Sequence, residues 1–185
     1  MEESKAFQRT DKAIIQALIR LLREKRFERI TVQDILTETP VSRGTFYEHF
    51  HDKYEIAERM QAQYFSAVRQ AIREVRDLRP EAMDGFIRRM SEQQHELGHA
   101  LLQIHTDRVD LLGRVSLEIQ EVYLRLFGEE TADPAELRTE ARIFGSVMAM
   151  VHQEYLEGSM PPSDGAIVLR AMRRVLEHMT KGDFL

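Results

Sequence analysis

The sequence predicts an all-α protein, and three observations carry that reading. Alternation of apolar and polar residues is almost absent. Apolar residues recur instead at three- and four-residue spacing along the chain, and the segments they mark open on Ser, Thr or Asp, the residues that cap helices. With 185 residues, 43% of them hydrophobic, the chain can bury the core of one large domain or two small ones.

The elements follow in order. Ile14, Leu18, Leu21 and Leu22 form the apolar face of a first helix, with Thr10 as its expected N-cap. In "ITVQDI" Thr31 caps a second, Asp34 takes the capping-box position and Ile30 can staple to Ile35. This helix must stop near Thr39, because Pro40 has no amide hydrogen and disfavours helical geometry in the residue before it. In "VSRGTFYEHF" Ser42 is a cap, Val41 can staple to Phe46, and Phe46 and Phe50 share one face. Asp52 caps a long fourth helix running toward Arg76, with Glu55 three residues on. Pro80 suits the first turn of a fifth, and "TDRVDLLGRVSLEIQEVYLRLF" supplies one or two more. Asp133-Pro134 and Ser163-Asp164 begin the last two, separated by a break over residues 158–162.

Composition excludes several classes of function. Without cysteine there is no disulfide, thiol nucleophile or zinc-thiolate site, which fits a reducing cytoplasm. The opening "MEESKAF" has neither the basic stretch nor the apolar run of a secretory signal. No apolar run reaches the roughly 18 residues of a membrane span, so a cytoplasmic protein without a membrane partner is expected. The net charge of −5 is not that of a general nucleic-acid binder. Residues 1–55, however, balance ten Lys/Arg against ten Asp/Glu, so the remainder carries the whole excess. Attraction to phosphate must come from a local face of the N-terminal part.

That part holds two short capped helices separated by about four residues, the spacing of a helix-turn-helix. Ile35, Leu36, Val41, Phe46 and Phe50 would fix them against the first helix, leaving Ser42, Arg43, Gly44, Thr45 and Tyr47 to face a groove. Over residues 9 to about 58 the sequence resembles the TetR family of bacterial transcriptional repressors, through "ITVQDI", "VSRGTFYEHF" and "DKYEI" in this order and spacing. The resemblance implies a DNA-binding domain over residues 1–52 and a regulatory domain over 53–185 that binds a ligand and dimerises. It implies a recognition helix from Ser42 to Phe50, phosphate contacts by Thr31, Tyr47, His49 and Lys53, and base edges nearest Arg43, Gly44 and Thr45. The chain departs from the family pattern at Pro40, where Gly is usual, and at Glu48, which puts a negative charge on the recognition helix. There it could accept from a cytosine amino group or simply face solvent.

The expected function is therefore a repressor that binds a palindromic operator in double-stranded DNA as a homodimer and is released by a small-molecule effector, with no catalysis and no cofactor. Effector candidates come from the aromatic and Met residues at helical spacing: Tyr64, Phe86, Met90, Tyr123, Phe127 and Met148. Such a stripe also serves as plain core. Dimer candidates are Phe144, Val147, Val151 and Tyr155 on one late helix and Ala171, Met172 and Val175 on the next, faces that could equally close the monomer's own core.

A competing signal lies in "HELGHALLQIH", residues 95–105. It contains His-Glu-x-x-His, which sets two imidazoles one helical turn apart with a carboxylate as general base. On a wheel, however, His95 and His99 lie roughly 120–160° from the centre of the stripe made by Met83, Phe86, Ile87, Met90, Leu97, Leu101 and Ile104, while His105 lies within about 40° of it. A straight helix cannot bring the three to one ion, and Leu102 stands where a metzincin protease turns on glycine. The alternatives kept open are a metal-responsive regulator using His95 and His99, and a zinc peptidase.

Overall fold

The computed structural model describes residues 5–73, 92–128 and 133–160, with residues 167 and 170 besides. Every regular element among these residues is helical: α1 (Lys5–Leu22), a 3-10 turn (Phe27–Arg29), α2 (Val32–Thr37), α3 (Arg43–His49), α4 (Lys53–Arg73), α5 (Glu92–Leu101), α6 (Leu111–Phe127) and α7 (Pro134–Leu156). None of the helices among them is long and apolar enough to cross a membrane. The expected starts at Pro80 and at Ser163-Asp164 lie outside the described residues.

Most helix boundaries follow from local chemistry. Thr31 and Asp34 close a reciprocal capping box at α2: the Thr31 hydroxyl accepts from the Asp34 amide, and the Asp34 carboxylate accepts from the Thr31 amide at 2.8 Å. Ser42 accepts from the Thr45 amide at 3.1 Å, and Asp52 from the Glu55 amide at 2.8 Å. Asp133 caps α7, with Pro134 at the first helical position where no amide is missed. Gly158, at φ 74°, ends that helix, its amide donating to the Tyr155 carbonyl.

Thr10 is a correction. It sits inside α1, its hydroxyl donating to the Ala6 carbonyl at 3.3 Å, because the preceding residues contain no breaker and continue the helix back to Lys5.

The chain forms two compact units. Unit 1 comprises Met1–Ser66 and Glu96–Leu111; unit 2 comprises Ala67–His95 and Leu112–Leu185. This division by compactness does not fall at the boundary after residue 52 expected from function. Ile56, Ala57, Met60 and Tyr64 of α4 are all buried, and no glycine or proline interrupts the chain there.

In unit 1 the interior is filled by Ile14 and Leu18 of α1, Phe27 and Ile30 around the 3-10 turn, Ile35 of α2, Phe46 and Phe50 of and after α3, and Ile56, Met60 and Tyr64 of α4. Leu101 and Ile104 are buried in the same unit. In unit 2 a buried carboxylate, Glu118, is held by Arg69 at 2.9 Å and by Arg114 at 3.1 Å, so its burial is compensated. There α6 and α7 approach closely at Gly145, where a β-carbon would stand 2.6 Å from the Ser116 carbonyl oxygen.

Candidate nucleic-acid interface

The helix-turn-helix of unit 1 positions its surface by fixing both short helices from behind. Phe46 and Phe50 are buried with ring centroids 6.4 Å apart, which turns the opposite side of α3 outward. Ser42, Arg43, Gly44 and Tyr47 are exposed, and Thr45 is half-buried. Tyr47 is 49% exposed, its ring edge-on to Phe46 at 5.3 Å. Glu48 is exposed too, so α3 carries one acid on its open surface.

The linking turn contains Pro40, yet no non-glycine residue described in the chain has a positive φ. The turn therefore closes without the left-handed conformation that a glycine at this point would supply. Arg20 braces the end of α2, donating to the Glu38 carbonyl at 2.8 Å and pairing with its carboxylate.

The four expected phosphate-contacting residues separate. Tyr47 is exposed. Thr31 is exposed, but its hydroxyl donates to the Asp34 carboxylate at 2.8 Å and accepts from the Asp34 amide, so it serves the cap first. His49 turns inward: its side chain is 5% exposed, its ring stacks on Phe7 at 3.8 Å, and Nδ1 meets the Asp11 carboxylate, which Arg59 also approaches at 3.5 Å. Lys53 also points into the protein. Its ammonium donates to the carbonyls of Phe27, Glu28 and Ile30 at 2.7, 3.0 and 2.8 Å, and lies 4.8 Å from the Phe27 ring centroid. All three of its N–H bonds are thus engaged, two with the carbonyls of Glu28 and Ile30 and one with that of Phe27, which also accepts from the Ile30 amide within the 3-10 turn. Burial holds this ammonium below the usual lysine range.

Two further residues that pattern reading did not single out belong to this surface. Lys25 pairs with Asp34 at 2.9 Å, and that bond, with the Thr31 amide and hydroxyl, lowers the Asp34 carboxyl to about 2. Gln33, exposed on α2, accepts from the Arg43 guanidinium at 2.9 Å. Nothing in the sequence marks that bond, which joins side chains ten residues apart across the turn.

The other expected sites are only partly within the described residues. Tyr64 is buried in unit 1. In unit 2 Tyr123 lies 4.8 Å from Phe127 and 5.3 Å from Phe144 by ring centroids, and donates to the Glu140 carboxylate at 3.2 Å. Burial and that carboxylate push its phenol up to about 12. Met148 is buried nearby in sequence, as is Val151; Phe144, Val147 and Tyr155 are half-buried. Phe86, Met90, Ala171, Met172 and Val175 lie outside the described residues.

The HELGH stretch takes an arrangement unlike a zinc protease. His95 sets its ring edge-on to Tyr155 at 5.2 Å, Glu96 is bound to Arg23 at 2.7 Å, and His99 is exposed. The carboxylate that would act as general base is therefore neutralised by a guanidinium. No group of three or more His, Cys, Asp or Glu suited to a metal ion occurs among the described residues.

Residues 14–60 match the family described as "Bacterial regulatory proteins, tetR family". No curated protein matches. The fold is similar to that of a candidate transcriptional regulator from Pseudomonas aeruginosa PAO1, at 16% identity and a TM-score of 0.67, over 96% of this chain and 95% of that one. It is similar also to a candidate TetR-family regulator from Syntrophomonas wolfei str. Goettingen, at 18% identity and 0.64, over 91% and 95%. A third, the dihydroxyacetone kinase operon activator DhaS, is 14% identical at 0.57, over 90% and 97%. At these identities the likeness is one of fold.

Proposed function

We propose that this transcriptional regulator of the tetR family works as a homodimeric cytoplasmic repressor: two copies of α3 hold a palindromic duplex operator, and a small molecule bound in unit 2 releases it. The observation that carries the DNA-binding part is the exposed run Ser42, Arg43, Gly44 and Tyr47, presented by a helix whose opposite side is locked into the core. Arg43 has the reach and the planar donor set for a guanine edge, Thr45 and Gly44 allow close approach, and Tyr47 can donate to a phosphate. With Lys53 engaged by carbonyls and His49 by Asp11, the phosphate contacts of this reading rest on Tyr47 and the exposed N-terminal side of α2 rather than on those two side chains.

The dimer reading is supported by α7, where Ile143 and Met150, seven residues apart on one side, are each 59% exposed. That side adjoins the candidates Phe144, Val147 and Tyr155, while Val151 is covered within the chain's own unit. A two-fold dimer places half-sites one helical turn apart, or a multiple of it. For the effector, the cluster of Tyr123, Phe127 and Phe144 offers aromatic faces beside a phenol. Repression is the reading we favour, although the name of DhaS shows that a neighbour in fold is an activator.

The test is fluorescence anisotropy of the full chain with the DNA flanking its own coding region, at two salt concentrations, against an unrelated duplex. Site-selective binding that weakens steeply with salt is expected. Equal weak binding to both duplexes would refute the operator reading.

A further inference from the structure

We infer that Gln33 and Arg43 act as a single base-reading unit, in which Gln33 aims the Arg43 guanidinium and so sets the base preference at one position of each half-site. The inference rests on the DNA-binding reading above. Arg43 is the first residue of α3 and is exposed, and an exposed arginine ordinarily samples many rotamers, so its guanidinium has no fixed direction. Here one Nη2 hydrogen is given to Gln33 Oε1 at 2.9 Å.

The backbone that carries the acceptor is held firmly. Gln33 lies in the first turn of α2, and that turn is tied down by the Thr31–Asp34 capping box and by the Lys25–Asp34 ion pair. Its backbone carbonyl accepts from the Thr37 hydroxyl at 3.0 Å.

The chemistry selects the target. A guanidinium has five N–H donors, and one bond to Gln33 leaves enough for a bidentate pair to the O6 and N7 acceptors of guanine in the major groove. Gln33 Oε1 also restricts rotation about the terminal torsions, so the remaining fork is presented in one plane. The Gln33 amide NH2 is left with donors of its own, which suit an acceptor on the neighbouring base or a phosphate. A preorganised fork loses less freedom on binding and discriminates more sharply than a mobile one, because a wrong base then leaves its donors unpaired.

The test uses the full-length protein and a duplex selected by the wild type from a random pool. Every base pair of the half-site is then substituted in turn and bound to wild type, Gln33→Met, Arg43→Ala and the double variant. Methionine keeps the length of Gln33 without its acceptor. We expect Arg43→Ala to reduce discrimination at one guanine roughly tenfold. Gln33→Met should relax the same position, and the double variant no further than Arg43→Ala alone. Thermal melting of Gln33→Met should match the wild type, which separates aiming from a general loss of fold. If Gln33→Met keeps wild-type discrimination at the position that Arg43→Ala relaxes, or if the two act at different positions and add, the unit does not exist. If the wild type selects no duplex, the DNA-binding reading falls and this inference with it.

Discussion

Gly44 and Lys53 show how differently two residues of one motif can serve. A β-carbon built on Gly44 meets nothing nearer than the Ser42 hydroxyl at 3.8 Å, so the protein alone has no need of glycine there. Helix propensity even favours alanine, by roughly 0.5–1 kcal/mol. Gly44→Ala should therefore melt at the same temperature as the wild type or slightly above it, yet on the proposed reading bind operator more weakly, the added methyl standing where that reading brings a duplex backbone or base edge. Undiminished binding would mean that the duplex keeps its distance from this turn of α3. Lys53 is the reverse case. Lys53→Met keeps the length of the side chain but removes the donor to the carbonyls of Glu28 and Ile30, and the second donor to that of Phe27, which retains the Ile30 amide, at a cost of about 1–3 kcal/mol to unfolding in urea with no DNA present. A lysine that only touched phosphate would leave that unfolding unchanged. The exposure of Gly44 was legible in the sequence because a glycine between a cap and an aromatic pair that turns inward is a local pattern. The inward turn of Lys53 was not, since its acceptors stand 23 to 26 residues earlier in the chain, and the same holds for His49, whose partner Asp11 is 38 residues away.

Helices announce themselves locally, and their packing does not. The starts of α2, α3, α4 and α7 were readable because a cap and the amide it satisfies lie within three residues of each other. Thr10 misled because a threonine inside a helix can donate to the carbonyl four residues back just as a capping one accepts, and only the absence of a breaker before it distinguishes the two. Gly145 was silent altogether: a glycine inside a helical pattern reads as a mild weakness. In the structure it permits α6 and α7 to cross, with the Ser116 carbonyl oxygen and the Gln120 Cγ 2.6 and 2.8 Å from where a β-carbon would sit. Gly145→Ala trades better helix propensity for overlap with a backbone atom that cannot swing aside, and overpacking of this kind costs about 1–3 kcal/mol. A lowered melting temperature for this variant, alongside an unchanged one for Gly44→Ala, would separate a glycine required by packing from one that the fold does not need.

At the scale of the whole molecule, the two units differ in how they respond to acid. In unit 1 the Asp34 carboxyl is held at about 2, first by its hydrogen bond from Lys25 and then by those of Thr31. A depressed acid contributes stability above its unfolded value of 3.8, and that contribution is lost only as pH falls toward about 2. In unit 2, burial and the neighbouring His95 lower His152 to about 4 from 6.5. Between those two values the unfolded chain binds a proton that the folded unit refuses. Stability from this group is therefore complete above pH 6.5 and falls progressively as pH drops to about 4, by at most about 3 kcal/mol. The acid response of the molecule should thus be staggered, with unit 2 loosening in a range where the Asp34 contribution to unit 1 is intact. Hydrogen exchange followed peptide by peptide at pH 7 and pH 5, with rates corrected for intrinsic chemistry, reads the two separately. Protection over residues 133–156 should decline at pH 5 while that over residues 31–50 holds. In His152→Leu, which removes the titrating group and keeps an apolar side chain of similar bulk, the decline should vanish. A fall of equal size in both units, or one that survives the leucine, would place the acid-sensitive group elsewhere than at His152.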